Sequence, residues 1–256
     1  MSEIAPYSTR SQLARINVAE ALANSPLGPK FADSPSPVTR QLATDLALVW
    51  HEFTRRLDQV PVVAAINDGT ITREGYLAVL RNIRQQVMEG GRWIALTASS
   101  MSLPLFIVRS ALIKHAAEEH RDYQMLEKNY VEAGGELREI EQAEKNIGSE
   151  AFSSYMFHQA SQPDPLNLFG AMFIIEGLGT ARAAVWAEKV KKVLGLPDGA
   201  VSFLAYHGAN DDGHYDKLRA VLSAPFIDEK VARSIVKTAR TVGRLYCLQL
   251  EELEHV

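Results

Sequence analysis

The sequence predicts an all-α protein, a single bundle of roughly seven main helices. Three observations predict it. From Thr39 onward, apolar residues recur at spacings of three and four. Glycines, prolines and capping residues fall where those periodic runs begin and end. No segment shows the alternating pattern of a strand. At 256 residues, 46% of them hydrophobic, the chain can bury one large helical core.

Taken in order, residues 1–38 read as a mostly irregular N-terminal extension. They hold Pro6, Pro26, Pro29, Pro35 and Pro37, with a short helix expected over Ser11 to Ala23. The helical domain spans residues 39–256. Leu42, Leu46, Val49, Trp50 and Phe53 mark its first long helix. Asp68-Gly69-Thr70 is a turn, and Thr72 is the N-cap of a second helix over about Arg73 to Ser100, with a kink expected at Gly90-Gly91. Pro104 opens a third helix that runs to about Ala133 and ends at Gly134-Gly135. Glu136 to Gly148 reads as a short exposed helix. The most apolar helix covers about Leu166 to Val193, and two more cover Ser202 to Ser223 and Asp228 to the end.

Composition narrows the function classes. A net charge of -4 with no basic block argues against nucleic acid and against an anionic membrane surface. The first residues lack a basic region followed by an apolar run, so no secretion signal is predicted. No uncharged apolar stretch approaches the roughly 20 residues of a membrane span. The one cysteine, Cys247, lies in an apolar helical stretch and reads as a buried structural thiol, in keeping with a cytoplasmic protein.

Three helices carry candidate chemistry. His207, Asp211 and His214 stand at i, i+4 and i+7, within about 60° of one another on one helix face. His115, Glu119 and Asp122 repeat that spacing on the third helix. Either stripe alone also fits a solvated polar face. The third piece is Glu176, a lone carboxylate inside Phe169-Gly170-Ala171-Met172-Phe173-Ile174-Ile175-Glu176-Gly177-Leu178-Gly179. A carboxylate there must be paired, hydrogen-bonded or metal-bound. An arginine partner is the plain alternative to metal ligation. Helical bundles build two-metal sites from inward-facing Glu and His, and oxygen and nitrogen donors without thiolate suit iron or manganese.

On these residues the chain resembles the haem-oxygenase-like di-iron oxidases and oxygenases, within the wider thiaminase-like and pyrroloquinoline-quinone-synthase-like (TenA/PqqC-like) superfamily. The anchors are Glu118-Glu119-His120-Arg121-Asp122, then Pro165-Leu166-Asn167-Leu168-Phe169-Gly170 leading to Glu176, then His207-x3-Asp211-x2-His214. The resemblance implies a seven-helix fold and metal ligands at Glu119, Asp122, Glu176, His207, Asp211 and His214. Many family members have histidine where Asp122 stands. His115 and His120 are the candidates for the missing nitrogen; His115 shares the stripe of Glu119, whereas His120 points about 100° away from it.

The resemblance further implies two iron ions, with manganese as the other candidate, and dioxygen as co-substrate. An external electron donor is needed, since no Gly-rich dinucleotide fingerprint is present. The substrate would be a small organic molecule such as an amino acid, an amine or a fatty acid. One rival reading is a cofactor-independent enzyme of the TenA or PqqC kind. The other is a non-catalytic helical ligand-binding protein. No residue is assigned a catalytic role. Arg81, Arg84, Arg182 and Arg240 are candidates to anchor a substrate carboxylate, and Trp50, Trp93 and Trp186 read as core. A homodimer is the default expectation.

Overall fold

A computed structural model describes residues 17–253, with side chains throughout except at Lys30 and residues 210–214. The described residues are helical and contain no strand. Two short helices, α1 (Val18–Ala23) and α2 (Pro29–Ala32), precede the first long helix α3 (Pro37–Leu57). Asn17 caps α1, and Ser36 caps α3 through its hydroxyl. Residues 11–16 of the expected first helix lie outside the described residues.

After α4 (Pro61–Asp68), Gly69 closes the helix in the left-handed conformation at φ 71°. Thr72 then caps α5 (Arg73–Ser99), its hydroxyl accepting from the Gly75 amide at 3.1 Å. α5 runs through Gly90-Gly91 without interruption. Gly91 serves a close approach. A Cβ there would lie 2.7 Å from the Cβ of His120 and 3.1 Å from the Ala116 carbonyl. The missing side chain lets α5 touch the end of α6.

The expected third helix is two helices, α6 (Phe106–Glu119) and α7 (Tyr123–Glu132), with a turn over residues 120–122 between them. α8 (Leu137–Glu141) is shorter than the exposed helix expected over Glu136 to Gly148, and its Ile140 is buried. α9 (Ile147–Ala160) has no counterpart in the sequence reading. Its Gly148-Ser149 start looks like a turn. In the structure Gly148 lets α9 rest directly on the backbone of Leu248 and Gln249.

The apolar run from Leu166 to Leu194 is α10 (Phe169–Leu178), a π-helical turn (Gly179–Ala183) and α11 (Ala184–Leu194). Among the described residues it is the helical run long and apolar enough to cross a membrane by length and composition, and 56% of its apolar window is buried. Glu176 and Arg182 interrupt it. α12 (Ser202–Leu222) and α13 (Glu229–Glu251) complete the bundle. Counted as continuous or once-broken runs, these are the main helices of a seven-helix bundle, with short connecting helices added.

α13 forms the centre. It packs against α3, α9 and α10 and buries Ile235, Ala239, Val242 and Cys247 completely. Trp50, Trp93 and Trp186 are core residues, as expected. The N-terminal segment is tied down from α12. Arg219 donates to the carbonyls of Pro26 and Leu27 at 2.9 and 3.0 Å.

Candidate metal centre

The site is built where α6, the turn after it, α10 and α12 come together. His115 and Glu119 lie four residues apart on the last turns of α6, so they share one face. His115 Nε2 stands 3.2 Å from Oε1 of Glu176 on α10. Across the cluster, His207 Nε2 on α12 stands 3.5 Å from Oδ2 of Asp122. Glu119 lies between these two pairs. Donor atoms of His115, Glu119 and Glu176 all fall within 4.8 Å of one another, and so do those of Glu119, Asp122 and His207. Two three-residue donor sets therefore share one carboxylate.

Local structure explains the convergence. α6 stops at Glu119, and Asp122 occupies the cap position of α7 with φ -66° and ψ -21°. The turn keeps Asp122 on the site side although the helix does not continue. On α10 the π turn starts three residues after Glu176, and Thr180 donates to the Glu176 carbonyl at 3.1 Å. Such turns insert an extra residue into a helix and recur at functional sites. α12 crosses just beyond it, where Gly208 meets Ala184. A Cβ at Gly208 would come within 2.6 Å of the Ala184 Cβ. That contact brings the adjacent His207 to the cluster. Phe203, with its ring 4.4 Å away, and Tyr206, at 5.4 Å and edge-on, flank its imidazole.

The side chains are largely withdrawn from solvent, from 12% exposed for His115 and Glu176 to 16% for Asp122. Burial pushes the Glu119 carboxyl up to about 7, and the charge of Glu176 adds to this. His115 and His207 oppose the rise, and Asp122 reinforces it. Crowded, desolvated carboxylates of this kind call for positive charge. Among the described residues the donors are two imidazoles and three carboxylates, with no thiolate. That set fits a pair of divalent iron or manganese ions, with Glu119 as the shared ligand.

Of the residues expected from sequence, Glu119, Asp122, Glu176 and His207 are brought together, and His115 joins them. Asp211 and His214 fall on α12, but their side chains lie outside the described residues. Glu176 pairs with a histidine rather than with an arginine. The four arginines proposed as carboxylate anchors all have protein partners. Arg81 donates to the Tyr130 hydroxyl at 2.7 Å, and Arg84 to Glu127 at 2.8 Å. Arg182 pairs with Asp58 and Arg240 with Glu52. Cys247 is buried in the core, which pushes its thiol up to about 12.

Two features of the site are not apparent from sequence. One is the π turn. The other is Tyr215, which is buried, donates to the Phe173 carbonyl at 2.9 Å and feels the charge of Glu176. The i to i+4 spacing of His115 and Glu119, by contrast, is legible in the sequence.

No known family profile matches the sequence, and no curated protein matches it. Solved structures do match in shape. A domain of unknown function from Shewanella denitrificans OS217, described as having a haem oxygenase-like fold, superposes with a TM-score of 0.77 at 15% identity over 86% of this chain and 93% of that one. This chain has the haem-oxygenase-like fold. A TenA homologue from Pseudomonas syringae pv. tomato DC3000 superposes with a TM-score of 0.68 at 13% identity, over 88% of this chain and 96% of that one. A TenA homologue from P. horikoshii OT3 gives 0.61 at 17% identity, over 84% and 97%. The likeness shows a fold that this chain shares with these three structures.

Proposed function

We propose that this protein is a non-haem di-iron oxidase or oxygenase acting on a small organic substrate such as an amino acid, an amine or a fatty acid. The observation that carries the reading is Glu119, shared between two donor triads in a withdrawn site. A single carboxylate common to two His-containing sets is the arrangement a two-metal centre needs. His115, Glu119 and Glu176 would hold one ion, and Glu119, Asp122 and His207 the other. Bound ferrous ions would supply dioxygen activation, with an external donor providing electrons.

The protein's own contributions follow from the geometry. Glu176 and Asp122 hold the two imidazoles in place through their pairs at 3.2 and 3.5 Å. Phe203 covers one side of His207 and limits water there. With its carboxyl raised to about 7 by burial and the charge of Glu176, Glu119 is partly protonated near neutral pH and would have to lose that proton to ligate a cation.

A second reading draws on the same pairs. Two histidine–carboxylate pairs around a carboxyl that titrates near neutrality also make a proton-transfer centre, as a cofactor-independent TenA- or PqqC-like enzyme would require. One experiment separates the readings. The protein is loaded anaerobically with ferrous iron, desalted, assayed for iron, and then exposed to dioxygen with amino acid, amine and fatty acid panels. The di-iron reading expects about two iron ions per chain and substrate-dependent oxygen consumption. Turnover by iron-free protein that chelator leaves unchanged would support the second reading instead.

A further inference from the structure

The surface shared by α3 and α13 is charged unlike the rest of the chain. Residues 230–250 hold five cationic side chains and no carboxylate, in a protein whose net charge is -4. Four of them, Arg233, Lys237, Arg240 and Arg244, stand at i, i+4, i+7 and i+11, within about 60° of one another on one face of α13. Where this stripe meets α3 there is a shallow groove. The buried residues Val49, Phe53 and Gly243 form its floor, and Arg56, Arg240 and Arg244 stand round it. The carboxylate in the lining is Glu52, which Arg240 and Arg244 share at 3.8 and 3.4 Å. Arg56 pairs with Glu251 at 3.2 Å. Three guanidinium groups over two carboxylates leave the groove net positive, with the arginine side chains 36% to 45% exposed.

The floor of the groove is also the outer end of a run of packed rings. Phe53 lies 5.6 Å from Trp50, Trp50 5.9 Å from Phe173, and Phe173 6.3 Å from Tyr215, centroid to centroid. The inner end of the run lies beside the candidate metal centre. Trp50 and Tyr215 both close on Gly177, where a Cβ would come 2.9 Å from the indole and 2.9 Å from the phenol oxygen. Gly177 directly follows Glu176. Electronic coupling decays steeply across empty gaps and is carried far better through close-packed atoms, and these rings leave no gap between groove and site.

We propose that the groove between α3 and α13 docks a small acidic electron-carrier protein, and that the rings from Phe53 to Tyr215 lead its electrons to the site. The inference rests on the di-iron reading, which needs an external donor. In each encounter the reduced carrier loses one electron and leaves oxidised, so two encounters return two ferric ions to the ferrous state. The cationic stripe runs roughly 16 Å along α13, which suits the face of a protein rather than one small anion. Complementary charge speeds the encounter and orients the carrier over the groove. Electron-transfer contacts are small and transient, so a shallow groove is enough.

The test uses the full chain, with an acidic plant-type [2Fe–2S] ferredoxin as the probe. Calorimetry should show the metal-free protein binding ferredoxin at low ionic strength and losing it as salt is raised. Arg240→Glu combined with Arg244→Glu should weaken binding at least about tenfold with unchanged helical circular dichroism. The same reversal at Lys128 and Lys192, which are exposed and outside the groove, should weaken it far less. In iron-loaded, oxidised protein, reduction by ferredoxin should slow in the groove variant, while reduction by dithionite keeps its wild-type rate. Trp50→Leu should slow reduction by ferredoxin without changing the affinity, and Trp50→Phe should lie nearer the wild type because it keeps a ring in the run. Absence of ferredoxin binding overturns the proposal, as does equal weakening by both charge reversals. Retention of anionic vesicles or duplex DNA as tight as that of ferredoxin also overturns it. Reduction by ferredoxin that Trp50→Leu leaves unchanged removes the ring route. A chain that binds ferredoxin through the groove but takes up no iron contradicts the di-iron reading and not the docking surface.

Discussion

Two buried polar clusters in this protein solve the same problem in opposite ways. Where α5, α9 and α13 meet, the groups are amides and hydroxyls that hydrogen-bond to one another, with Asn82 Oδ1 and Gln249 Oε1 left without a partner. Asn82 donates to Ser149 at 2.8 Å, Asn146 to the Gln249 carbonyl at 2.8 Å, and Gln249 to Gln86 at 2.7 Å. Asn146 also caps α9 by accepting from the Ser149 amide. Where α6, α10 and α12 meet, the groups are ionisable, and carboxylates outnumber imidazoles. The first cluster is made of neutral groups and carries no charge that needs balancing. The second concentrates negative charge in a withdrawn place, which costs free energy unless protons or cations neutralise it. A neutral polar network therefore reads as structure, and an unbalanced ionisable one reads as a binding site.

The comparison can be broken by substitution. The largest effect is expected at Glu119, because both triads use it. Glu119→Ala should abolish tight binding of both ions, measured as metal per chain after anaerobic loading. Loss of only one ion would show that the carboxylate is not shared.

Next come the two histidines. His115→Ala and His207→Ala should each reduce the stoichiometry from two ions to one, and the double variant should bind none. If His115→Ala removes both ions while His207→Ala removes neither, α12 does not contribute to the second triad.

A smaller, graded effect is expected from pH. The Glu119 carboxyl is raised to about 7 from its ordinary 4.5, so it binds its proton more tightly in the folded metal-free protein than in the unfolded chain. Its contribution to apo-protein stability is full below the unfolded value. That contribution is lost as pH rises towards 7. Metal binding has the opposite slope, because the ion must displace the proton. Apparent affinity should fall by up to about tenfold per pH unit below 7 and level off above it. Glu119→Gln should remove this component from the apo stability profile. An identical stability profile in that variant would mean that Glu119 is not the group that titrates.

The neutral cluster supplies the control. Asn146→Ala removes a cap and leaves the buried Gln249 carbonyl without that donor, a loss of about 1–3 kcal/mol in unfolding free energy. Metal stoichiometry should not change. A change in stoichiometry would show that the two clusters are coupled and the contrast between them is false.

The sequence shows the helices wherever one element obeys one period. α3, α5 and α13 carry long amphipathic runs with recognisable caps, and they stand where periodicity puts them. α9 escapes because Gly148 and Ser149 look like a turn, although their small size serves contact with α13. The break after Glu119 escapes because residues 120–122 contain neither Gly nor Pro; it lies where His120 packs closely on Gly91. The π turn carries no composition of its own. In the site, spacing within one helix is readable, as for His115 and Glu119. Convergence between helices is not, because it depends on crossings set by Gly91 and Gly208. That is why Glu176 could be recognised as needing a partner while the partner, His115, could not be named.

The most direct test of the central claim is an anaerobic Mn(II) titration followed by electron paramagnetic resonance. Two ions bridged by Glu119 predict two Mn(II) per chain. The six-line signal of an isolated ion should give way to a broadened, exchange-coupled spectrum as the second equivalent binds. Two uncoupled six-line ions, or no binding above that of the Glu119→Ala variant, would contradict the shared-carboxylate centre.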